Sequence, residues 1–269
     1  MDTMLQEAYL ETPHGRLNTA RGPKNGPLLL LLHGFTNRWQ TFLPFLPSLT
    51  QHWQVLAFDH RGHGHSEHIP GTYTAAGFYA DAEAMLLHID APALLLGHSM
   101  GGSLALHLAQ NYPDRIRGVV TGDTSLNLRL HIEVMNNRRN TKLFGLRRKL
   151  AGRPLDELIR RGLSPQQAEE MWLLDPHVMD SHAEGQVAGF FEDISDVDLD
   201  KICCPLLITQ ANPQKGGLLL DEEITPVLQA HPHFHFKHFD CGHDLDIDKG
   251  TQSAFFIAAL EFLQTLETK

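Results

Sequence analysis

Short apolar runs alternate with amphipathic stretches over residues 28–123, and this rhythm limits the architectures that the chain can adopt. Four runs have the length and composition of buried strands: 28–33, 55–59, 93–97 and 118–123. Three stretches between them have apolar residues at helical spacing: 41–50, 74–89 and 100–111. Strands that alternate with helices form a mostly parallel sheet with helices on its faces, so the sequence predicts an α/β fold.

The rhythm changes at 124–195, where helix-like segments follow one another and no strand is evident. Strand patterns return at 205–209 and 233–239, and helices are predicted at 221–230 and 251–266. We therefore expect one core domain formed by residues 1–123 and 196–269. The segment 124–195 is predicted to be a helical insertion into that core.

Composition excludes several classes of protein. The 22 basic and 32 acidic residues give a net charge of 22 − 32 = −10, which argues against nucleic-acid binding because phosphate contacts need a surplus of basic residues. The longest aliphatic run has five leucines, whereas a membrane span needs about 20 apolar residues. No signal-peptide pattern opens the chain, and three cysteines are too few for a disulfide framework, so we expect a reduced, cytoplasmic protein.

The sequence G-H-S-M-G at 97–101 lies where a predicted strand meets a predicted helix. A serine in such a tight turn projects its hydroxyl above the sheet edge, and the two glycines avoid collisions with neighbouring backbone. The helix N-terminus also presents free N–H groups that favour developing negative charge. Ser99 is therefore the candidate nucleophile, and a glycine-rich turn without chemistry is the alternative.

A serine nucleophile needs a base, and His243 is the candidate by position. It lies in the sequence C-G-H-D at 241–244, between the last predicted strand and the last predicted helix, which places it at the same sheet edge as Ser99. An unperturbed imidazole pKa near ~6.5 suits proton transfer at neutral pH. His98 is a rival in sequence only, because its side chain should point away from that of Ser99. Cys241 follows the strand directly and is interpreted as a small packing residue.

Three motifs occur in the same order as in a known family: H-G-F at 33–35, D-H-R-G-H-G-H-S at 59–66 and G-H-S-M-G-G at 97–102. With the terminal G-H pair at 242–243, the chain resembles the α/β-hydrolase fold enzymes over nearly its whole length outside the insertion. The resemblance implies a serine hydrolase without a cofactor or metal. It also implies an oxyanion hole formed by the backbone N–H groups of Phe35 and Met100, and a helical cap at 124–195.

The acid that should orient His243 departs from the family pattern. Relatives commonly carry Asp where Asn212 stands, and a neutral Asn cannot stabilise an imidazolium by charge. The other position known in the fold follows the preceding strand, where this chain has Asp123. We favour Asp123, whose alternative role is to cap the first helix of the insertion. Asn212, Asp221 and Asp240 remain open as alternatives.

Four histidines, at 60, 63, 65 and 68, lie close together and suggest a metal site. The stretch lacks carboxylate or cysteine ligands at the spacing of known metal sites. The resemblance explains this segment as a structural loop of the fold, and we predict no metal there.

The predicted insertion is basic. Residues 126–163 carry a charge of +7, which leaves −17 for the rest of the chain. The ten basic residues are Arg129, Arg138, Arg139, Lys142, Arg147, Arg148, Lys149, Arg153, Arg160 and Arg161, against Glu133, Asp156 and Glu157. A basic cap could attract an anionic substrate. The alternative is that these residues form solvated helix faces that pair with the acidic core.

Apolar residues of the insertion can pack the cap and line a cleft: Met135, Phe144, Leu146, Met171, Trp172, Leu173, Met179, Phe190 and Phe191. With Ser99 and His243 in place, the resemblance implies a carboxylesterase that cleaves a small or medium acyl ester. A carbon–carbon bond hydrolase of a dioxo-acid, and a lactonase or haloperoxidase-like enzyme, would use the same residues. Serine at position 99 argues against dehalogenases and epoxide hydrolases, which need a carboxylate nucleophile. A non-enzymatic ligand-binding protein that retains the fold is the alternative from another class.

Overall fold

A computed structural model describes residues 5–182 and 187–267. Eight strands form one sheet in the order β1-β2-β4-β3-β5-β6-β7-β8. Their bounds are Gln6–Thr12 (β1), Gly15–Arg21 (β2), Leu28–Leu32 (β3), Gln54–Phe58 (β4), Ala93–His98 (β5), Ile116–Gly122 (β6), Leu206–Ala211 (β7) and His235–Phe239 (β8). β1 pairs antiparallel with β2, β2 pairs antiparallel with β4, and the six strands β3 to β8 are parallel to one another. The predicted fold class is confirmed.

The α-helices in chain order are Leu46–Leu49 (α1), Ala75–His88 (α2), Met100–Asn111 (α3), Leu128–Met135 (α4), Arg138–Leu150 (α5), Leu155–Arg160 (α6), Pro165–Trp172 (α7), Val187–Phe190 (α8), Asp221–Ala230 (α9) and Ala254–Gln264 (α10). Short 3-10 helices occur at Trp39–Phe45, Pro113–Arg115, Pro176–His182, Leu199–Lys201, Pro213–Lys215 and Ile247–Gln252. The helix predicted at 41–50 is therefore a 3-10 helix followed by the single turn α1. Pro44 interrupts this stretch because proline removes a backbone donor.

The run of leucines in β3 is continuous because both faces of the sheet are covered. Leu30 and Leu32 face one buried cluster with Phe78, whereas Leu29 and Leu31 face another with Phe256. Alternate side chains of a strand point to opposite faces, so a central strand needs apolar residues at every position. Each such burial contributes about 1.5–3 kcal/mol to stability.

The N-terminal hairpin β1–β2 is not predicted by the sequence analysis. Most side chains of β1 are exposed, and only Leu17, Asn18 and Ala20 of β2 are buried. A strand that is exposed to solvent on both faces has few apolar residues in a regular pattern. The other strands are predicted from that pattern.

The segment 124–195 holds α4 to α8, and no strand occurs among its described residues. Its designation as a cap, and the division into core and cap, stay predictions. Within the described ranges, no helix is both long enough and apolar enough to cross a membrane.

Candidate active site

Ser99 occupies a strained turn between β5 and α3. Its φ angle is +55°, in a region that residues other than glycine rarely adopt, and its N–H donates to the carbonyl of Gly122 at 2.8 Å. The flanking glycines permit this turn. A Cβ on Gly97 would lie 2.2 Å from the oxygen of Gly101, and a Cβ on Gly101 would lie 2.0 Å from the oxygen of Leu32. The predicted steric reason for both glycines is confirmed.

A chain of hydrogen bonds joins Ser99, His243 and Asp123. Nε2 of His243 lies 3.0 Å from Oγ of Ser99, and Nδ1 of His243 lies 2.6 Å from Oδ2 of Asp123. The three residues follow β5, β8 and β6 respectively. Parallel strands end at one sheet edge, which brings together residues that are up to 144 positions apart.

Backbone groups fix the Asp123 carboxylate. It is fully buried and accepts hydrogen bonds from the N–H groups of Leu218 (2.8 Å), Ala211 (3.1 Å) and Leu219 (3.3 Å). Its own φ angle is +45°, which turns the chain sharply after β6. The alternative capping role does not apply, because the side chain of Asn127 caps α4 instead.

The other candidate acids are engaged elsewhere. Asn212 donates to Asp240 at 2.7 Å and accepts from the Gln214 N–H, while Asp240 pairs with Lys215 at 2.9 Å. Asp221 accepts from the amide of Gln210 at 2.8 Å. The structure therefore brings Asp123 to His243 and leaves these groups on other partners.

His98 supports His243 from behind. Its Nε2 lies 2.8 Å from the carbonyl oxygen of His243, and the two ring centres are 4.8 Å apart. Burial, together with the neighbouring His243, lowers the pKa of His98 to about 4. His98 therefore stays neutral at pH 7 and adds no charge beside His243.

Phe35 and Met100, whose backbone N–H groups are the predicted oxyanion donors, both border the cavity above Ser99. Neither donates a hydrogen bond within the described ranges. The turn that carries Phe35 is held from below, since Nε2 of His63 lies 2.6 Å from the Phe35 carbonyl oxygen and the Asn37 N–H donates to Gly34. Met100 is the first residue of α3, where N–H groups lack intrahelical acceptors.

The histidine-rich loop at 60–66 serves the packing of the fold. Arg61 forms a buried ion pair with Asp81 at 2.7 Å, and Asp59 accepts from the N–H groups of Trp39 and His65. A Cβ on Gly64 would lie 2.1 Å from an oxygen of Asp59. Within the described residues, no group of three His, Cys, Asp or Glu side chains is arranged to hold a metal ion.

Cys241 packs against the second buried cluster, and burial raises the pKa of its thiol. Its carbonyl accepts from the Asn212 N–H at 3.0 Å, which joins the loop after β8 to the turn after β7. These contacts agree with its interpretation as a packing residue.

A cavity of about 280 Å³ opens above Ser99, and we call it the Ser99 cavity. Its apolar walls come largely from the segment 124–195 and include Leu128, Met135, Leu143, Phe144, Phe190, Phe191 and Ile194. Of the apolar residues predicted to line a cleft, Met135, Phe144, Phe190 and Phe191 do so. Leu146 and Trp172 are exposed instead.

The walls of the Ser99 cavity also contain His131, Arg147 and His182. The sequence analysis does not name the two histidines, and it names Arg147 only as one of ten basic residues of the insertion. Burial lowers the pKa of His131 to about 4 and that of His182 to about 3, so both are neutral at pH 7. His182 lies against the ring of Phe35 with centres 4.0 Å apart. No motif marks these residues, because they reach the cavity through the packing of irregular helices.

Five basic residues of the segment pair with carboxylates inside it, and none of the five lines the Ser99 cavity. Arginine–carboxylate pairs within the segment are Arg129–Glu133, Arg148–Asp180, Arg153–Glu157, Arg160–Asp156 and Arg161–Glu157. These five arginines thus pair inside the segment and not with the acidic core. In four of the five pairs, i,i+4 spacing on short helices places the partners side by side.

Residues 27–158 match the family model described as alpha/beta hydrolase fold. A 2-(acetamidomethylene)succinate hydrolase from Mesorhizobium japonicum is 38% identical over 112 residues, which cover 40% of each chain. A pimeloyl-[acyl-carrier protein] methyl ester esterase from Neisseria meningitidis is 37% identical over 89 residues, or 33% of each chain. The chain therefore spans between one third and two fifths of the length of these curated relatives.

Among solved structures, the enol-lactonase of Burkholderia xenovorans superposes with a TM-score of 0.71 at 21% identity. The superposition covers 96% of this chain and 100% of the lactonase. At that identity, the likeness is one of fold.

Proposed function

Since the chain belongs to the α/β-hydrolase fold superfamily, we propose that it is a serine hydrolase that cleaves a small or medium acyl ester through an acyl-enzyme. The observation that carries the proposal is the continuous hydrogen-bonded chain from Ser99 through His243 to Asp123, with distances of 3.0 and 2.6 Å. A serine hydroxyl is a weak nucleophile unless an oriented base takes its proton. The named relatives, a hydrolase and an esterase, support hydrolytic chemistry.

In the proposed reaction, Oγ of Ser99 attacks the ester carbonyl carbon while Nε2 of His243 takes the hydroxyl proton. The carbonyl oxygen becomes negative and accepts hydrogen bonds from the N–H groups of Phe35 and Met100. The loss of one such donor typically costs about 10²–10³ in rate. His243 then returns its proton to the departing alcohol, and Asp123 stabilises the imidazolium in between.

Water completes the cycle. His243 takes a proton from a water molecule, which attacks the acyl-enzyme carbonyl, and the same proton returns to Oγ of Ser99 as the acid leaves. No cofactor takes part in this proposal. A charged His243 beside a neutral His98 meets no second positive charge, which favours the imidazolium intermediate.

The Ser99 cavity favours a short acyl or alcohol group. A volume of about 280 Å³ lies at the lower end of the size of ligand pockets, and the apolar walls suit hydrocarbon. We infer that the segment 124–195 acts as a cap, because it supplies most of those walls.

The test is reaction with a fluorophosphonate probe, beside a panel of p-nitrophenyl esters of increasing chain length. We expect labelling of the wild-type protein, none in Ser99→Ala, and the fastest turnover for the short esters. Failure to label folded wild-type protein would exclude a serine hydrolase and favour a ligand-binding protein. Labelling with turnover of a ring-fission dioxo-acid in place of esters would instead indicate a carbon–carbon bond hydrolase.

A further inference from the structure

Arg147 differs in position from the five arginines that pair inside the segment. It projects from α5 into the wall of the Ser99 cavity. It donates a hydrogen bond to Oγ1 of Thr36 and forms no ion pair within 5–182 and 187–267. Its neighbour Arg148, by contrast, is paired with Asp180 at 2.5 Å.

Two carboxylates act on Arg147 without forming an ion pair with it. Asp244 and Glu170 both act on it electrostatically, but neither approaches it within 4.0 Å. Glu170 accepts hydrogen bonds from Thr41 and Gln166 instead, and burial raises its pKa. Lys215 also borders the cavity, but Asp240 pairs with it at 2.9 Å.

This arrangement is costly for the free protein. Burial lowers the pKa of Arg147, yet a guanidinium stays charged at neutral pH because its ordinary pKa is far higher. A desolvated charge without a counter-ion is unfavourable, and a bound anion would remove that cost. The guanidinium is planar and has several N–H donors, which suits the two oxygens of a carboxylate.

The hydrogen bond to Thr36 places Arg147 near one of the proposed oxyanion donors. Thr36, its hydrogen-bond partner, directly follows Phe35, and consecutive Cα atoms are about 3.8 Å apart. Phe35 carries one of the two proposed oxyanion donors. An anion bound by Arg147 would therefore share the Ser99 cavity with the oxyanion, and a short linker could join the two.

We propose that Arg147 binds a carboxylate of the substrate, so that the preferred substrates are short esters with a carboxylate close to the scissile carbonyl. Half-esters of short dicarboxylic acids have this chemistry. The inference rests on the proposed function, since it names the substrate class of the same site. A purely structural role would be to latch α5 to the turn that carries Phe35.

Two nearly isosteric substrates separate these roles: ethyl hydrogen succinate, which is anionic, and ethyl succinamate, which is neutral. We expect the wild-type protein to prefer the anionic ester. Arg147→Met should lower kcat/KM for the half-ester by about 10- to 100-fold, the range for a hydrogen bond between charged groups, and for the amide by less than threefold. For Arg147→Lys we expect a kcat/KM for the half-ester between those of the wild-type protein and Arg147→Met. Lysine keeps the positive charge but lacks the planar pair of N–H donors.

Arg148→Met is the matched control, because its exposed side chain lies one position away on α5. Arg148→Met should leave kcat/KM unchanged for both substrates. Equal losses on the two esters in Arg147→Met would show a latch and overturn the proposal, as would a wild-type protein without preference between them.

Binding to Ser99→Ala, measured by calorimetry with ethyl hydrogen succinate, separates this inference from the proposed function. Binding that is lost in Ser99→Ala/Arg147→Met supports the carboxylate site even if the wild-type protein hydrolyses no ester. Turnover of neutral p-nitrophenyl esters, without any Arg147-dependent binding of the half-ester, would instead retain the hydrolase and reject the site.

Discussion

The two sides of the Ser99 cavity are built in different ways. On the sheet side, Ser99, His243 and Asp123 are held by backbone groups, and the Asp123 carboxylate alone accepts three N–H donors. On the helical side, the walls are side chains of the segment 124–195. That segment is fastened to the core through single side chains such as Glu223, which accepts from Ser125 at 2.7 Å and from the N–H groups of Leu126 and Asn127.

We infer from this difference that the sheet side carries out the reaction and that the helical side selects the substrate. A site held by backbone geometry tolerates little change, because each replacement disturbs a strand end or leaves a buried donor unpaired. A wall of side chains on short helices can change its size and charge while the sheet edge stays intact. We therefore expect substitutions on the sheet side to abolish turnover, and substitutions on the helical side to alter substrate choice or stability.

The largest expected effect is that of Asp123→Asn. The amide can still accept backbone hydrogen bonds, but it can no longer stabilise an imidazolium, so we expect kcat to fall by about 10⁴-fold. Steady-state kinetics with a short ester, beside thermal unfolding to confirm the fold, measure this. Asp240→Asn and Asn212→Asp are the controls and should keep wild-type kcat. Full activity in Asp123→Asn would show that Asp123 is not the acid that supports His243.

Lowering the pH should lower the free energy of unfolding, because both sides of the Ser99 cavity contain buried neutral histidines. Burial lowers the pKa of His98 and His131 to about 4, whereas the ordinary value is near ~6.5. The unfolded chain therefore binds more protons between these pH values, and stability is lost as pH falls from 7 to 5. The limiting slope is about 1.4 kcal/mol per pH unit for each such histidine.

Denaturant unfolding at pH 7, 6 and 5 measures this decline. His131→Phe should reduce the slope by the share of one histidine, while His88→Gln, at an exposed position of α2, should leave it unchanged. Burial raises the pKa of Asp59 and Asp81, so these carboxyls oppose the trend at lower pH. A stability that is flat between pH 7 and 5 would show that the imidazoles are hydrated.

A smaller loss is expected where the helical segment joins the core. Glu223→Ala leaves three half-buried donors of residues 125–127 unpaired, and we expect a loss of about 2–4 kcal/mol in the free energy of unfolding. Faster proteolysis within 124–195 should accompany it. Glu222→Ala, on the exposed face of the same helix, is the control. Equal behaviour of the two variants would show that Glu223 does not fasten the segment.

The sequence predicts the sheet side of the Ser99 cavity better than the helical side. The proposed roles of Ser99 and His243 came from motifs whose spacing is set by strand–turn–helix geometry, and the structure brings the two residues within hydrogen-bond distance. The choice between Asp123 and Asn212 stayed open, because sequence does not show which turn reaches His243. Arg147 was one of ten basic residues, and only three-dimensional packing shows that, among those whose side chains the structure describes, Arg147 borders the cavity.

The smallest expected effect comes from replacing a glycine by alanine on the helical side of the cavity. The same replacement on the sheet side provides a direct comparison. Gly145 lies within α5, and a Cβ added there meets no atom within 4 Å. Alanine is the better helix former, so Gly145→Ala should raise the free energy of unfolding by about 0.5–1 kcal/mol, with kcat unchanged. Gly101→Ala, in contrast, places its Cβ 2.0 Å from the Leu32 oxygen and should prevent recovery of folded protein. Urea unfolding curves measure the first variant, and soluble yield measures the second. If Gly145→Ala destabilised the protein, α5 would be as closely packed as the sheet edge, and the helical wall could not vary independently of it.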